Sequence, residues 1–255
     1  MPAVPDVPEG SNLLLARTPL AHWHAQHGAR FDEINSWQVP AVYTDENSEV
    51  AAARTGLAIA DISFTSKVML RGTGVAELTQ SLTGDSPAAK PGGVAPVTAD
   101  RSVLACRLHV DQLLILGSPT GNDKSEQILS DAAKHEDEPP GLTRWSAAKQ
   151  LLEIDVTSGL ACFWLFGPHT DELLRQVTHF DVSALASASC AETGLAGVPA
   201  TLVRPPSPAV PSMRILTGWD VAEYVWEKLL QAGQTWKIIP LGLDGLEMLL
   251  NQAPK

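Results

Sequence analysis

The sequence predicts an α+β protein of two duplicated α/β lobes, on three observations. Leu160 to Phe166 is an almost wholly apolar, aromatic-rich run of seven residues, the signature of a strand buried on both faces. Gly167 breaks that run, Pro168 suits the first position of a helix, and Leu173, Leu174 and Val177 then fall on one helical face. The same order occurs earlier, from Asp61 to Leu82: Asp-Ile-Ser, an apolar strand ending at Leu70, Gly72, then Val75, Leu78 and Leu82. The Asp-[Ile/Val]-[Ser/Thr] starts recur at an offset of 94 (Asp61 to Asp155) and the turn glycines at 95 (Gly72 to Gly167). Even the tails correspond, Thr83-Gly84-Asp85-Ser86 against Thr178-His179-Phe180-Asp181. Two copies make two related lobes rather than a repeat array.

The elements follow in order. Residues 1–16, with three prolines in the first eight, form a loose arm. Thr18-Pro19 opens a short helix with Thr18 as its cap; Leu20, Trp23, His24 and His27 share a face and Gly28 ends it. Residues 30–43 are extended around Trp37, Pro40 and Tyr43, and Asp45 to Arg54 is a second helix stopped by Gly56. The first duplicated unit runs over about 61–134. Within it, residues 84–100 form a Pro/Gly-rich loop or irregular edge strand, Ser102–His109 and Gln112–Leu116 a hairpin around Val110-Asp111, and 123–134 a helix. The acidic, helix-breaking stretch at 135–142 is the linker, and the second unit covers about 151–200. Thr201–Arg204 is a short strand. The loop Pro205–Pro211 cannot enter a sheet interior, because four of its seven residues lack an N–H. Trp219–Gln231 is an amphipathic helix ended by Gly233, Ile238–Leu241 a strand, and Asp244–Asn251 closes the domain.

Composition bounds the function. With 255 residues, 44% of them hydrophobic, the chain can bury a core and is not disordered. A net charge of −11 offers no basic stripe for phosphates, which excludes nucleic acid and an anionic membrane surface as main partners. No apolar run approaches the roughly 20 residues of a membrane span, and the first residues lack the pattern of a signal or transit peptide. Cys106, Cys162 and Cys190 are widely spaced and odd in number, so reduced thiols in a cytoplasmic protein are expected.

Few constellations carry chemistry. His22, His24 and His27 lie close together, but only His24 and His27 share a helical face and no carboxylate or cysteine sits at matching spacing; packing or capping explains them, and no metal is expected. Gly72-Thr73-Gly74 lacks the third glycine of a dinucleotide fingerprint, since Glu77 stands there, and the turn is one the fold requires. Asp61 and Asp155 read as local turn acceptors. Asp85 is either a loop cap or a pocket residue, and Arg204 either pairs internally or meets an anion.

The opening motifs RTPLAHWHAQHGARF, SWQVPAVY and EVAAARTGLAIADIS resemble those of the aminomethyltransferase family, the glycine-cleavage T-protein and the folate domains of sarcosine and dimethylglycine dehydrogenases. The matching residues include Thr18, Pro19, His24, His27, Gly28, Trp37, Pro40, Tyr43, Glu49, Arg54, Gly56, Asp61 and Ser63. DVTSGLACFWLFGP, HFDVS and GLDGLEMLL resemble later motifs in the same order, so the likeness spans about 17–252. It implies two interleaved lobes around a central pocket that takes tetrahydrofolate. The chain ends where the family's C-terminal barrel is expected to begin.

The resemblance also implies losses. Its Asp-Asp pair falls on Val103–Leu108, where Ala105 and Cys106 stand. Its Tyr-Thr-Gly-Glu segment, whose Glu binds the pterin, is expected after Arg204, where the proline loop lies. Its closing Leu-Arg-x-Glu reads Leu249-Leu250-Asn251-Gln252 here. The expectation is therefore a folate-fold binding or scaffold subunit without catalytic residues, joined to a protein partner or to copies of itself. Its pocket is expected to be lined by Asp85, Cys106 and Arg204. The alternative is a tetrahydrofolate-dependent transferase with a remodelled pocket, in which Cys106 beside Arg107 is an activated thiolate.

Overall fold

The computed structural model describes residues 15–120, 125, 128, 143–146, 150–206 and 208–251. The linker at 135–142, residues 1–14 of the arm, and all but residues 125 and 128 of the helix expected at 123–134 lie outside these. In chain order the strands are β1 (Ala16–Arg17), β2 (Arg30–Ile34), β3 (Trp37–Val42), β4 (Ala58–Asp61), β5 (Lys67–Arg71), β6 (Val94–Pro96), β7 (Leu104–His109), β8 (Gln112–Leu116), β9 (Thr143–Ser146), β10 (Leu151–Asp155), β11 (Leu160–Phe166), β12 (Ser189–Leu195), β13 (Val198–Arg204), β14 (Ser212–Gly218) and β15 (Ile239–Pro240). The α-helices are α1 (Ala21–Gln26), α2 (Glu46–Thr55), α3 (Val75–Thr83), α4 (Thr170–Val177), α5 (Ala222–Gly233) and α6 (Leu243–Asn251).

Two six-stranded sheets carry the duplication. The first has the order β6-β7-β8-β5-β10-β9 and the second β12-β13-β14-β11-β4-β15. Each unit thus places its leading strand in the other's sheet: β4 pairs antiparallel with β11, and β10 with β5. The Asp-x-Ser/Thr motif is the joint of this exchange. Asp61 Oδ1 accepts from Ser63 N at 2.9 Å, and Asp155 Oδ1 from Thr157 N at 2.8 Å. Ser63 Oγ then accepts from Cys162 N, and Thr157 Oγ1 from Lys67 N, both at 3.0 Å. The turn glycines complete the symmetry. Gly72 (φ 136°) and Gly167 (φ 132°) lie where a Cβ would meet Gln150 O at 2.0 Å and Gly56 O at 2.1 Å, so only glycine lets the exchanged strand pass.

Alternation along β11 shows why that run is apolar throughout. Ala161, Phe163 and Leu165 join an outer core with α1, α4 and α5, while Cys162, Trp164 and Phe166 face the layer between the sheets. The first sheet likewise packs Val68, Leu70, Ala105 and Ile115 outward against α3. Val50 and Ala53 of α2, with Leu246 and Leu249 of α6, join the inner layer as well. At one edge the sheets meet through a bridge from Gly93 to Ser189, with Val94 N donating to Ala188 O and Cys190 N to Gly92 O, each within 2.9 Å. No helix among the described residues is long and apolar enough to cross a membrane.

Several local expectations are corrected. Helix α1 starts after Leu20 with no side-chain cap, so Thr18 does not cap it, and α4 starts at Thr170 rather than at Pro168. The apolar segment from Asp61 to Leu70 is the end of one strand, a turn and a second strand. Strands β12 and β14 are additional to those the sequence predicts. Asp45 does cap α2, its Oδ1 accepting from Ser48 N at 2.9 Å, and the hairpin of β7 and β8 stands where expected.

Candidate functional site

The residues matched by the resemblance build two hydrogen-bonded supports. His24 Nε2 lies 2.9 Å from Asp61 Oδ2, a carboxylate that can only accept, so the imidazole carries its proton there; Nδ1 meets the Tyr43 hydroxyl at 2.7 Å. Burial, with Asp61 and Glu49 close by, pushes the Tyr43 phenol far up, so it stays protonated. For Asp61, burial alone would raise the pKa; hydrogen bonds from His24 and Ser63 outweigh it and hold the carboxyl below its usual range. Glu49, fully buried, accepts from Tyr43 N, Thr44 N and Gly242 N at 2.7, 3.0 and 2.8 Å, tying α2 to the start of α6. His27 donates from Nδ1 to Trp23 O at 2.7 Å and stacks on the Trp23 ring. His24 and His27 therefore serve packing.

The three residues expected to line the pocket stand apart. Asp85 is exposed just after α3 and accepts from Gln80 Nε2 at 2.9 Å. Arg204 alternates with the inward Val203, so it points to the outer face, where its Nη2 donates to Asp171 Oδ1 at 2.8 Å and to Val182 O. Only Cys106 faces the layer between the sheets. Its neighbour Arg107 turns the other way and donates to Thr79 Oγ1, His109 O and Val110 O, so it does not activate the thiol. Burial pushes Cys106 well above the usual thiol range, and the neighbouring Cys190 adds to this against the charge of Arg214. The other two inward cysteines are raised as well: Cys162 by burial, partly offset by Lys67 and Arg214, and Cys190 by burial to about 12.

Sequence patterns alone do not disclose what dominates the inner layer. Arg214 is 3% exposed and stands directly across from Trp164 in the register of β14 and β11, its guanidinium 4.2 Å from the indole centroid. Burial lowers its pKa. Ser212, also inward, stands opposite Phe166. Lys67, fully buried on β5, donates from Nζ to Ser63 O and Thr65 O at 2.9 and 2.7 Å. None of the three buried carboxylates among the described residues enters this layer. Asp61 turns to His24, Glu49 holds backbone amides, and Glu153 shares the side of Leu151, which packs outward. The proline loop does follow Arg204 at the end of β13, and a Thr-Gly pair occurs beyond it, at the end of β14, as Leu216-Thr217-Gly218-Trp219. Leu249 and Leu250 lie on α6, while Gln252 is outside the described residues.

Two surface clefts, of about 410 and about 450 Å³, lie elsewhere, the first between α4, α5 and the β12–β13 turn and the second beside Trp23, Tyr43 and Pro240. Neither is lined by Asp85, Cys106 or Arg204.

Comparison with known proteins gives a consistent answer. The family model for the GCVT N-terminal domain matches residues 20–251. The chain is 28% identical over 245 residues to an aminomethyltransferase of Geobacillus kaustophilus (strain HTA426) and 25% identical over 244 residues to one of Bacillus subtilis (strain 168). Each alignment covers 94% of this chain and 65% of the relative, so the chain spans just under two thirds of their length. Among solved structures it is similar to the glycine cleavage system aminomethyltransferase T from Bartonella henselae. The TM-score is 0.71 and the identity 17%, over 92% of this chain and 62% of that one. It is also similar to a chain of the heterotetrameric sarcosine oxidase from Corynebacterium sp. U-96, solved with pyrrole 2-carboxylate. There the TM-score is 0.57 and the identity 21%, over 86% of this chain and 95% of that one. At these identities the structural likeness establishes the fold.

Proposed function

The chain belongs to the GCVT N-terminal domain family, and from that membership we propose that it is an aminomethyltransferase-like domain without transfer chemistry, serving as a folate-fold binding or scaffold subunit in one-carbon metabolism. The observation that carries this reading is the composition of the layer between the sheets. Methylene transfer to tetrahydrofolate passes through a cationic, iminium-like species, and a carboxylate is the group that stabilises it and takes its proton. The resemblance puts that carboxylate on β7. There Ala105 packs outward and Cys106 inward, the latter a neutral buried thiol. Large apolar side chains line the same layer: Trp164 and Phe166, with ring centroids 4.8 Å apart, and Leu104, Leu114 and Leu116 on the other sheet.

A protein that keeps the fold and loses the reaction retains value as a surface for assembly. The sarcosine oxidase that it resembles is a heterotetramer, and one of its chains is covered almost whole by the likeness. Assembly with a partner or with copies of itself is part of the proposal, and tetrahydrofolate is the small molecule to test first. The decisive measurement joins a tetrahydrofolate-dependent methylene-transfer assay to light scattering on the purified protein. No turnover, with a mass above that of a monomer or a co-purifying partner, is expected. Turnover that disappears in Cys106→Ala would replace this reading with that of a remodelled transferase.

A further inference from the structure

Buried polar atoms without a partner are rare in folded proteins, and a cluster of them calls for an explanation, a bound water, ion or ligand among them. Among the described residues six buried side-chain atoms have none. Three lie on the outer side of the second sheet: Arg204 Nε, Trp226 Nε1 and Thr18 Oγ1, the last beside the Asp61 carboxylate. The other three, Ser212 Oγ, Arg214 Nε and Trp164 Nε1, share one face, turned to the layer between the sheets. Trp164 is directly opposite Arg214, and Ser212 is two residues along the same strand, so they are immediate neighbours.

All three groups can donate, and Arg214 and Trp164 can only donate. No acceptor among the described residues of the layer answers them. The buried carboxylates are turned away or occupied, and the thiols of Cys106 and Cys162, held in their neutral form by burial, supply no anion to the guanidinium. The indole face over which Arg214 lies offers quadrupole attraction but no lone pair for an N–H. Beside the donors stand apolar side chains, Phe166 opposite Ser212 and Leu216 two residues on from Arg214. The resemblance implies a pocket of carboxylates meeting the donor edge of a pterin; here the polarity is reversed, with donors waiting for an acceptor.

We propose that Arg214, Trp164 and Ser212 form a carboxylate-binding site between the two sheets, taking a small organic monocarboxylate with an apolar body. The carboxylate lies on the guanidinium fork, with Trp164 Nε1 and Ser212 Oγ closing on its oxygens. This deepens the reading of a non-catalytic binding domain and rests on it, because a transferase pocket would need the opposite charge at its centre.

The test uses benzoate as probe and benzamide, its neutral isostere, as control, on the full chain. Thermal unfolding and tryptophan fluorescence are followed against ligand concentration. Benzoate is expected to raise the melting temperature and change the tryptophan emission, and benzamide to do neither. Arg214→Met, close in volume and apolar, should abolish the response, and Arg214→Lys, which keeps the charge but loses the fork, should weaken it by about tenfold. Ser212→Ala, a change of one atom, should weaken it less. A wild-type protein indifferent to millimolar benzoate overturns the proposal, as does an undiminished response in Arg214→Met or, if that variant does not fold, in Arg214→Lys. A tetrahydrofolate titration run beside it separates the two readings. Tetrahydrofolate binding without a benzoate response sinks the carboxylate site and leaves folate binding standing. A benzoate response without tetrahydrofolate binding upholds the site and removes folate from the proposed function.

Discussion

Asp61 and Asp155 show how one residue type at two equivalent positions acquires different weight. Both accept from the amide two residues on, and both set the strand-exchange turn. Asp155 is exposed, whereas Asp61 is buried and also holds His24. Removing the Asp61 carboxylate leaves the buried His24 Nε2 donor without an acceptor, at a cost of about 1–3 kcal/mol. Asp61→Ala is therefore expected to lower the urea-unfolding free energy by about that amount, and Asp155→Ala by a small fraction of it. Equal losses would mean that the His24 contact contributes nothing. The same carboxyl gives a pH signature. Its folded-state pKa lies below the unfolded value of about 3.9, so its contribution is complete above that value and is lost as the pH falls through the folded pKa. The wild-type stability should fall more steeply below about pH 4 than that of Asp61→Asn, with Tyr43 protonated throughout the range. Arg214 sets the opposite case. An unpaired buried charge is a liability in the empty protein, so Arg214→Met is expected to raise the melting temperature while removing the carboxylate response.

At the scale of elements, the two strand–turn–helix units depend on glycines that the sequence displays openly. Gly72 and Gly167 combine positive φ with backbone carbonyls of Gln150 and Gly56 about 2 Å from any Cβ. Gly28 also has positive φ, at 77°, but nothing lies within 4 Å of its added Cβ. Alanine at position 28 should cost about 1 kcal/mol through backbone strain alone, whereas alanine at 72 or 167 must also displace the exchanged strand and should cost more than about 3 kcal/mol. Melting temperatures of the three variants decide this, and similar shifts for all would show that the close approach relaxes freely. These positions were legible because a glycine that ends a strand, repeated at the same offset, marks a turn that a side chain would block. The exchange of β4 and β10 was not legible, since local sequence specifies a strand but not the neighbour it pairs with. Strand β14 is not legible in the sequence because Arg214 places a charge between Met213 and Ile215, the pattern of an exposed segment, whereas the structure buries Arg214. For the same reason the site expected from Asp85, Cys106 and Arg204 gave way to one on Arg214 and Trp164: strand parity, invisible without pairing, turns Arg204 outward and Arg214 inward.

For the whole molecule, the exchange makes the two lobes inseparable. The first sheet holds β10 between β5 and β9, and the second holds β4 between β11 and β15. A fragment ending at residue 120 would keep β5–β8 but leave β4, with its buried Ala58, Ile59 and Ala60, without a sheet. A fragment starting at 150 would lose β4, one of the two strands flanking β11, together with α1 and its Trp23, which packs on Trp226 at 5.3 Å between ring centroids. Neither half can bury its own core, so unfolding should be one transition. Tryptophan emission reports chiefly on the second sheet through Trp23, Trp164 and Trp226, while far-ultraviolet circular dichroism reports on both sheets. The two urea curves are expected to coincide. The separate fragments are expected to be unfolded alone and to regain near-native circular dichroism when refolded together, because the strand exchange supplies each with what it lacks. Two resolved transitions, or a fragment that melts cooperatively by itself, would show that the lobes are independent domains. The inner layer with Arg214 would then be an interface between them rather than a core that both must build.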